Sequence, residues 1–309
     1  MSLPAALVLL NPAARGGRGR DLFARVRAAL DAQVRAHVVE SDPAGAWRSR
    51  VQDALGAGVR VFVAAGGDGT VNALVNALAE LHARPSELAL GAVGLGSSND
   101  FHKPFDVVEG DVPLRVRVDR RTARDVARVR FAREDGTEAE RVFLVSASLG
   151  LVADANAFFN EGGGLLGWLK RRWTGGAITY AAVRTLLAHR NLAADLTVDG
   201  AARRVALTNL SVQKTPFLSG TLRYDTPVAP DDGAFAVNTC EGMGTAAALG
   251  ALLDLEKGLF LGKPGRVHTR AQRLEVAPER PAVLECDGEV QVVTRARFDI
   301  LGEQIGVLG

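Results

Sequence analysis

Residues 64–78 read AAGGDGTVNALVNAL, and this stretch decides the fold. An apolar run ends at Ala65 and glycines follow. From Val71 the apolar residues Leu74, Val75 and Leu78 recur at helical spacing. That is a strand, a turn and a helix. Glycine in such a turn allows positive φ and lets a phosphate approach the backbone. The N–H groups of the first helical turn, with the helix dipole, favour an anion. Gly66, Gly67, Asp68, Gly69 and Thr70 are the residues that would cradle it. Thr70 can cap the helix and donate a hydroxyl. Asp68 is a carboxylate beside that site, suited to holding Mg²⁺ or accepting a proton when a nucleotide is there. The same pattern also fits a plain corner with Asp68 as its cap.

The flanking sequence repeats this grammar. Apolar runs at 7–10, 34–39, 59–64 and 88–93 alternate with helical periods at 20–30 and 47–55. Strands alternating with helices imply crossover units and a parallel sheet, with ligands at the carboxyl ends of the strands. Two further polar loops follow strands: NPAARGGRG at 11–19, with Arg15 and Arg18 able to meet phosphate, and GLGSSNDFHK at 94–103, offering Ser97, Asn99 and Asp100. There is no G-x-x-x-x-G-K-[ST] loop and no G-x-G-x-x-G fingerprint.

After about residue 112 short alternating segments take over, at 114–118, 124–131, 141–147, 196–198, 204–210, 234–239, 273–276 and 290–298. This reads as β-rich and antiparallel, with helical insertions near 165–187 and 245–261. The expected fold class is therefore α/β, with an N-terminal parallel-sheet nucleotide domain at 1–115. A C-terminal, sandwich-like β-rich domain follows at 116–298, and a tail at 299–309 can return to the first domain. Between two apolar strands stands Cys286-Asp287-Gly288-Glu289. One of its carboxylates, Asp287 or Glu289, could take a proton from an attacking hydroxyl; an Asp-Gly pair is also a common hairpin turn.

The 309 residues carry 37 basic and 35 acidic side chains, a net charge of +2, which argues against a nucleic-acid binder relying on bulk charge. Two cysteines give neither a disulfide framework nor a metal spacing, so a reducing cytoplasm is expected. The opening MSLPAALVLLNPAARGG lacks a basic region before its apolar run, so no signal peptide is expected. The segment 165–190 combines Trp168, Trp173 and Tyr180 with five basic residues and no acid. It suits either transient contact with an anionic membrane face, which would make the protein peripheral, or packing on the β-rich domain. An exposed sheet edge would allow a homodimer.

Taken together, NPAARGG, GGDGTVN, GSSNDF and the late CDGE resemble the diacylglycerol kinase catalytic fold, shared by bacterial lipid kinases and by sphingosine and ceramide kinases. Fainter echoes are TARDVARV at 122–129, SASLGLVAD at 146–154, TNLSVQKTPFLSGTLRY at 208–224 and VAPDDGAF at 228–235. The resemblance implies an ATP- and Mg²⁺-dependent lipid kinase with a diacylglycerol-like substrate. It places nucleotide contacts at Asn11, Ser41, 66–72 (Asn72 included) and Ser97, with Asp68 as the central acid and Asp287 and Glu289 as the late pair. It also implies a structural Mg²⁺ in the second domain, held by Asp232 and the carbonyls of Ala229 and Ala234, with Asp125 nearby through water. The chain departs from the family pattern at Ala73, where Glu is usual, at the Gly94–Ser97 loop, and at Ser146, where Asn is usual. Alternatives are an NAD kinase-like phosphotransferase with a soluble acceptor, or a silent nucleotide- or lipid-binding regulator. Neither Asp68 nor Asp287 is expected to be needed for the fold.

Overall fold

The computed structural model describes residues 3–161 and 174–309. The chain divides into two compact units, 1–126 with 301–309, and 127–300.

The first unit is a parallel sheet covered by helices. Its strands are β1 (Ala5–Leu10), β2 (Arg35–Glu40), β3 (Val61–Gly66) and β4 (Ala89–Gly94); between them run α1 (Gly19–Asp31), α2 (Trp47–Gly56) and α3 (Asp68–Glu80). The strand order is β2-β1-β3-β4, every pair parallel, with Ala6 opposite Ala36 and Val61, and Val61 opposite Ala89. Sheets covered on both faces need strands apolar on both faces, and VLL in β1 and FVAA in β3 are fully buried. Leu22, Phe23, Val26 and Leu30 of α1 form one covering stripe, packed on Val8, Leu10 and Val63. A short β5 (Val112–Arg115) adds to β4 in the antiparallel sense.

The chain leaves this unit inside β6 (Arg121–Ala132) and returns inside β16 (Arg295–Leu308), whose Gly306 and Val307 pair in parallel with Ala89 and Leu90 of β4. The division thus falls within β6, later in the chain than residue 115.

The second unit is antiparallel and β-rich. Its elements are β7 (Glu138–Phe143), β8 (Ser146–Gly150), α4 (Leu151–Glu161), α5 (Thr174–Ala188), β9 (Leu192–Val198), β10 (Ala201–Gln213), β11 (Phe235–Glu241), α6 (Thr245–Glu256), β12 (Arg266–Ala271), β13 (Arg273–Pro278), β14 (Ala282–Cys286) and β15 (Glu289–Val293). The long β10 pairs with β9, β11 and β8. β8 also pairs with β14, which turns back as β15. Inward residues such as Val129, Phe143, Leu149, Leu196, Leu210, Phe235, Val276 and Phe298 make one apolar core.

Three local expectations change. The single strand expected over 141–147 is two strands, broken at Leu144 and Val145. The strand expected over 290–298 is likewise divided between β15 and β16, and helix α4 was not foreseen. Of the aromatic–basic segment 165–190, the part carrying Trp168 and Trp173 lies outside the described residues. Among the described residues, no helix is long and apolar enough to cross a membrane.

Candidate active site

In the first unit three loops meet at the carboxyl ends of β1, β3 and β4, and glycines decide how closely. Gly66 lies against Thr70, so tightly that a Cβ there would stand 2.1 Å from Thr70 Oγ1. Gly67 and Gly96 touch backbone to backbone; a Cβ on Gly96 would stand 2.5 Å from Gly67 Cα. No larger residue fits either place without moving the main chain.

Polar bonds then lock the loops. Asp68 reaches across to the third loop, where its carboxylate accepts the N–H groups of Asp100 (3.0 Å) and Phe101 (2.9 Å). Asn99 holds that loop from within. Its backbone is left-handed, its Oδ1 accepts the Gly96 N–H, and its Nδ2 donates to the carbonyls of Gly94 and Gly96. Asn11 joins the first loop to the second, donating from Nδ2 to Thr70 Oγ1 at 3.4 Å and accepting the Ala13 N–H at 3.0 Å. Arg15 donates to the Gly96 carbonyl and pairs with Asp111 at 2.8 Å, which makes it a brace of the cradle.

The remaining candidates divide by exposure. Ser97 is exposed and Ser41 half-buried, the latter donating its N–H to Leu10. Asn72 is buried, its Oδ1 and carbonyl accepting from Asn76 one turn later. Asp100 is buried and paired with Lys103 at 2.6 Å. The N-cap residue of α3 is Gly67, which has no side chain to cap the helix, so the dipole faces the loop cluster. Burial, then the neighbouring Asp100, pushes the half-buried Asp68 carboxyl above its ordinary value, against the pull of its two N–H donors. The oxygens of Asp68, Asn11, Thr70 and Ser97 are the hard donor type that suits Mg²⁺.

The second unit holds a comparable carboxylate. Asp287, 5% exposed, accepts three successive N–H groups, from Leu144 (2.9 Å), Val145 (3.2 Å) and Ser146 (2.8 Å). It is left-handed at φ 45°, and its own N–H returns to the Ser146 carbonyl. This one side chain ties together three N–H groups at the corner between β7 and β8, a structural contact that the sequence reading did not foresee for Asp287. Glu289, two residues on, is exposed. Sequence reading missed Glu285. It is buried on β14, accepting from Ser148 Oγ (2.8 Å) and the Gly288 N–H (2.6 Å), and its only signal was an acid inside an apolar strand. Burial pushes the Cys286 thiol well up and Cys240 to about 11, so both stay protonated and unreactive at neutral pH.

The oxygens expected around a structural Mg²⁺ have other partners. Asp232 and the Ala234 carbonyl accept from Lys214, and Arg270 donates to both the carboxylate and the carbonyl of Asp232. Asp125 accepts from Gln304 at 2.8 Å, and Ala229 is half-buried. Among the described residues no group of three or more His, Cys, Asp or Glu side chains could hold a metal ion.

This arrangement has known relatives. Residues 5–129 match the family model described as diacylglycerol kinase catalytic domain, and 168–309 match YegS C-terminal NAD kinase beta sandwich-like domain. Together these span most of the chain, whose first part belongs to the diacylglycerol kinase catalytic-domain family and whose last part belongs to the YegS C-terminal family. A Klebsiella pneumoniae (strain 342) protein named "Probable lipid kinase YegS-like" is 35% identical over 32% of this chain and 32% of its own length. A Bacillus subtilis (strain 168) diacylglycerol kinase is 42% identical over 17% of this chain and 16% of its own. The alignments thus reach no more than about a third of these relatives. The fold matches a crystal structure of a diacylglycerol kinase from Bacillus anthracis str. Sterne with TM-score 0.68 at 18% identity, covering 100% of this chain and 97% of that one. It matches yeast NADH kinase complexed with NADH with TM-score 0.51 at 12% identity, covering 100% and 84%. At these identities the likeness is one of fold.

Proposed function

We propose that this chain transfers the γ-phosphate of ATP to a hydroxyl of a diacylglycerol-like lipid. The observation that carries the reading is the cradle in which Asp68, Asn99 and paired glycines fix three loops beside the uncapped start of α3. Phosphoryl transfer has a loose transition state, so fixed backbone donors and charge neutralisation do most of the work. The loop N–H groups and Ser97 would hold the phosphates, while Asn11 and Thr70 keep the first two loops in register. Mg²⁺, brought with the nucleotide and met by Asp68, would neutralise phosphate charge. Glu289 is the exposed acid of the late pair and would take the hydroxyl proton, on a turn that Asp287 and Glu285 hold in place.

A lipid acceptor is favoured by α5 and α6. Leu186, Ala248, Ala251 and Leu255 pack these helices together, yet Val183 and Leu187, and Leu249 and Leu253, stay exposed four residues apart. Helices apolar on their outer faces as well suit contact with a bilayer surface, and Arg184 and Lys257 lie on or beside them. The likeness to NADH kinase keeps a second reading, a soluble dinucleotide acceptor.

The test is transfer of labelled γ-phosphate from ATP with Mg²⁺ to a lipid panel in detergent micelles, and to NAD, for the native chain and Glu289→Gln. Labelled lipid that the variant does not make supports the proposal. Labelled NADP without labelled lipid selects the second reading, and ATP binding without any product leaves a silent binding protein.

A further inference from the structure

Lys214, the residue after β10, is the least expected charge in the second unit. Its side chain is 1% exposed. A lysine is almost never buried so completely unless paired, because its ammonium loses its hydration. Here Nζ donates to Asp232 Oδ1 at 3.2 Å and to the Ala234 carbonyl. The Ala234 N–H donates back to Asp232 Oδ1 at 3.2 Å. From the other side Arg270 donates Nε to Asp232 Oδ2 at 3.0 Å and its terminal nitrogen to the Asp232 carbonyl at 2.9 Å. Burial would raise the Asp232 carboxyl, but the hydrogen bonds from Arg270 and Lys214 outweigh it and hold the group below its ordinary value.

These are the oxygens that the family resemblance offers to a structural divalent cation. Both carboxylate oxygens of Asp232, its carbonyl and that of Ala234 already accept from cationic side chains. One carboxylate thus faces two positive groups. A divalent ion at the same oxygens would add two charges beside an ammonium shielded from solvent, where repulsion is poorly screened. An ammonium is a compact point charge with three donors, the side chain that best imitates a bound ion.

We propose that the Lys214 ammonium stands in place of a structural divalent cation, so that the turn 228–235 is held by a cation built into the chain. The fold is then indifferent to metal, and any Mg²⁺ requirement belongs to the nucleotide alone.

Thermal melting of the full chain without nucleotide tests this independently of the reaction catalysed. The native chain and Asp232→Asn are melted in EDTA, in millimolar MgCl₂ and in millimolar MnCl₂, with Lys214→Met melted in EDTA. The native Tm is expected to be the same in all three solutions, and Lys214→Met to melt lower. A metal-dependent rise in the native Tm that Asp232→Asn removes would overturn the proposal, as would a Lys214→Met chain that melts with the native one. If Lys214→Met does not fold, the native and Asp232→Asn melts decide it.

Discussion

Asp68 and Asp287 use the same device in different surroundings. Each carboxylate gathers backbone N–H groups from a segment distant in sequence, two at 100–101 for Asp68 and three at 144–146 for Asp287. Asp68 is half-buried at a loop cluster, while Asp287 is buried beneath a strand corner. The difference decides where removal is felt. The bonds to Asp287 are buried, so its removal leaves N–H groups without a partner at their full desolvation cost, whereas the bonds to Asp68 are part-buried and water can take the carboxylate's place. Asp287 should therefore act mainly on stability and Asp68 mainly on nucleotide binding.

The largest effect is expected from Asp287→Ala. Three N–H groups lose a charged acceptor at about 1 kcal/mol or more each, so about 3 kcal/mol of stability should go. For a chain of this size that is a fall in Tm of about 5 °C. Calorimetry reads it, and a native Tm would show that the corner holds without the carboxylate.

Next comes Gly96→Ala, which tests whether the clasp made by Asp68 needs touching backbones. The new Cβ meets Gly67 Cα at 2.5 Å, and overpacking of this kind costs about 2 kcal/mol. The loops should part, so ATP affinity should fall more than tenfold in calorimetric titration. Unchanged affinity would show that phosphate does not use this contact.

The Asp68 side of the comparison has a pH signature. Its carboxyl is raised by burial first and by Asp100 second, so the folded chain keeps that proton to higher pH than the unfolded chain. The cost of ionising it is absent below the ordinary carboxylate value and sets in as pH rises through the folded one. Asp68→Asn abolishes this titration. The native chain should therefore be most stable relative to the variant in acid and lose that margin toward neutral pH. Urea midpoints of both proteins across that range measure it, and a margin independent of pH would place the carboxyl at its ordinary value.

What the sequence made legible follows the same division. The first unit's strands are buried on both faces and punctuated by glycine loops, so β1, β3, α3 and β4 could be drawn from local pattern to within a residue or two. The cradle residues Gly66 to Thr70 were visible for the same reason. The break at Leu144 and Val145 was not, because its cause is Asp287, more than a hundred residues later. Lys214 was equally silent: a single lysine after an apolar strand does not say that its partner is an acid eighteen residues on. Helix α4 follows Gly150 directly, and LVADANAFFNE continues the apolar run of β8 without a polar cap to announce it. Long-range polar bonds leave no periodicity, and periodicity is what a single sequence displays.

The smallest change in stability belongs to Glu289→Gln, which separates the two functions of the late acid turn. Glu289 is exposed, and Gln keeps its shape, so the Tm should move by less than about 0.5 kcal/mol implies. If this side chain takes the hydroxyl proton, turnover should still fall by about a hundredfold, because an amide cannot accept it. Turnover that survives would move the proton acceptor to Asp287, whose remaining lone-pair capacity would then serve chemistry as well as the corner. In that case Asp287→Asn, assayed well below its Tm, should lose turnover out of proportion to its loss of folded protein. One buried acid would then carry both duties, and the division between fold and reaction that distinguishes Asp287 from Asp68 would fail.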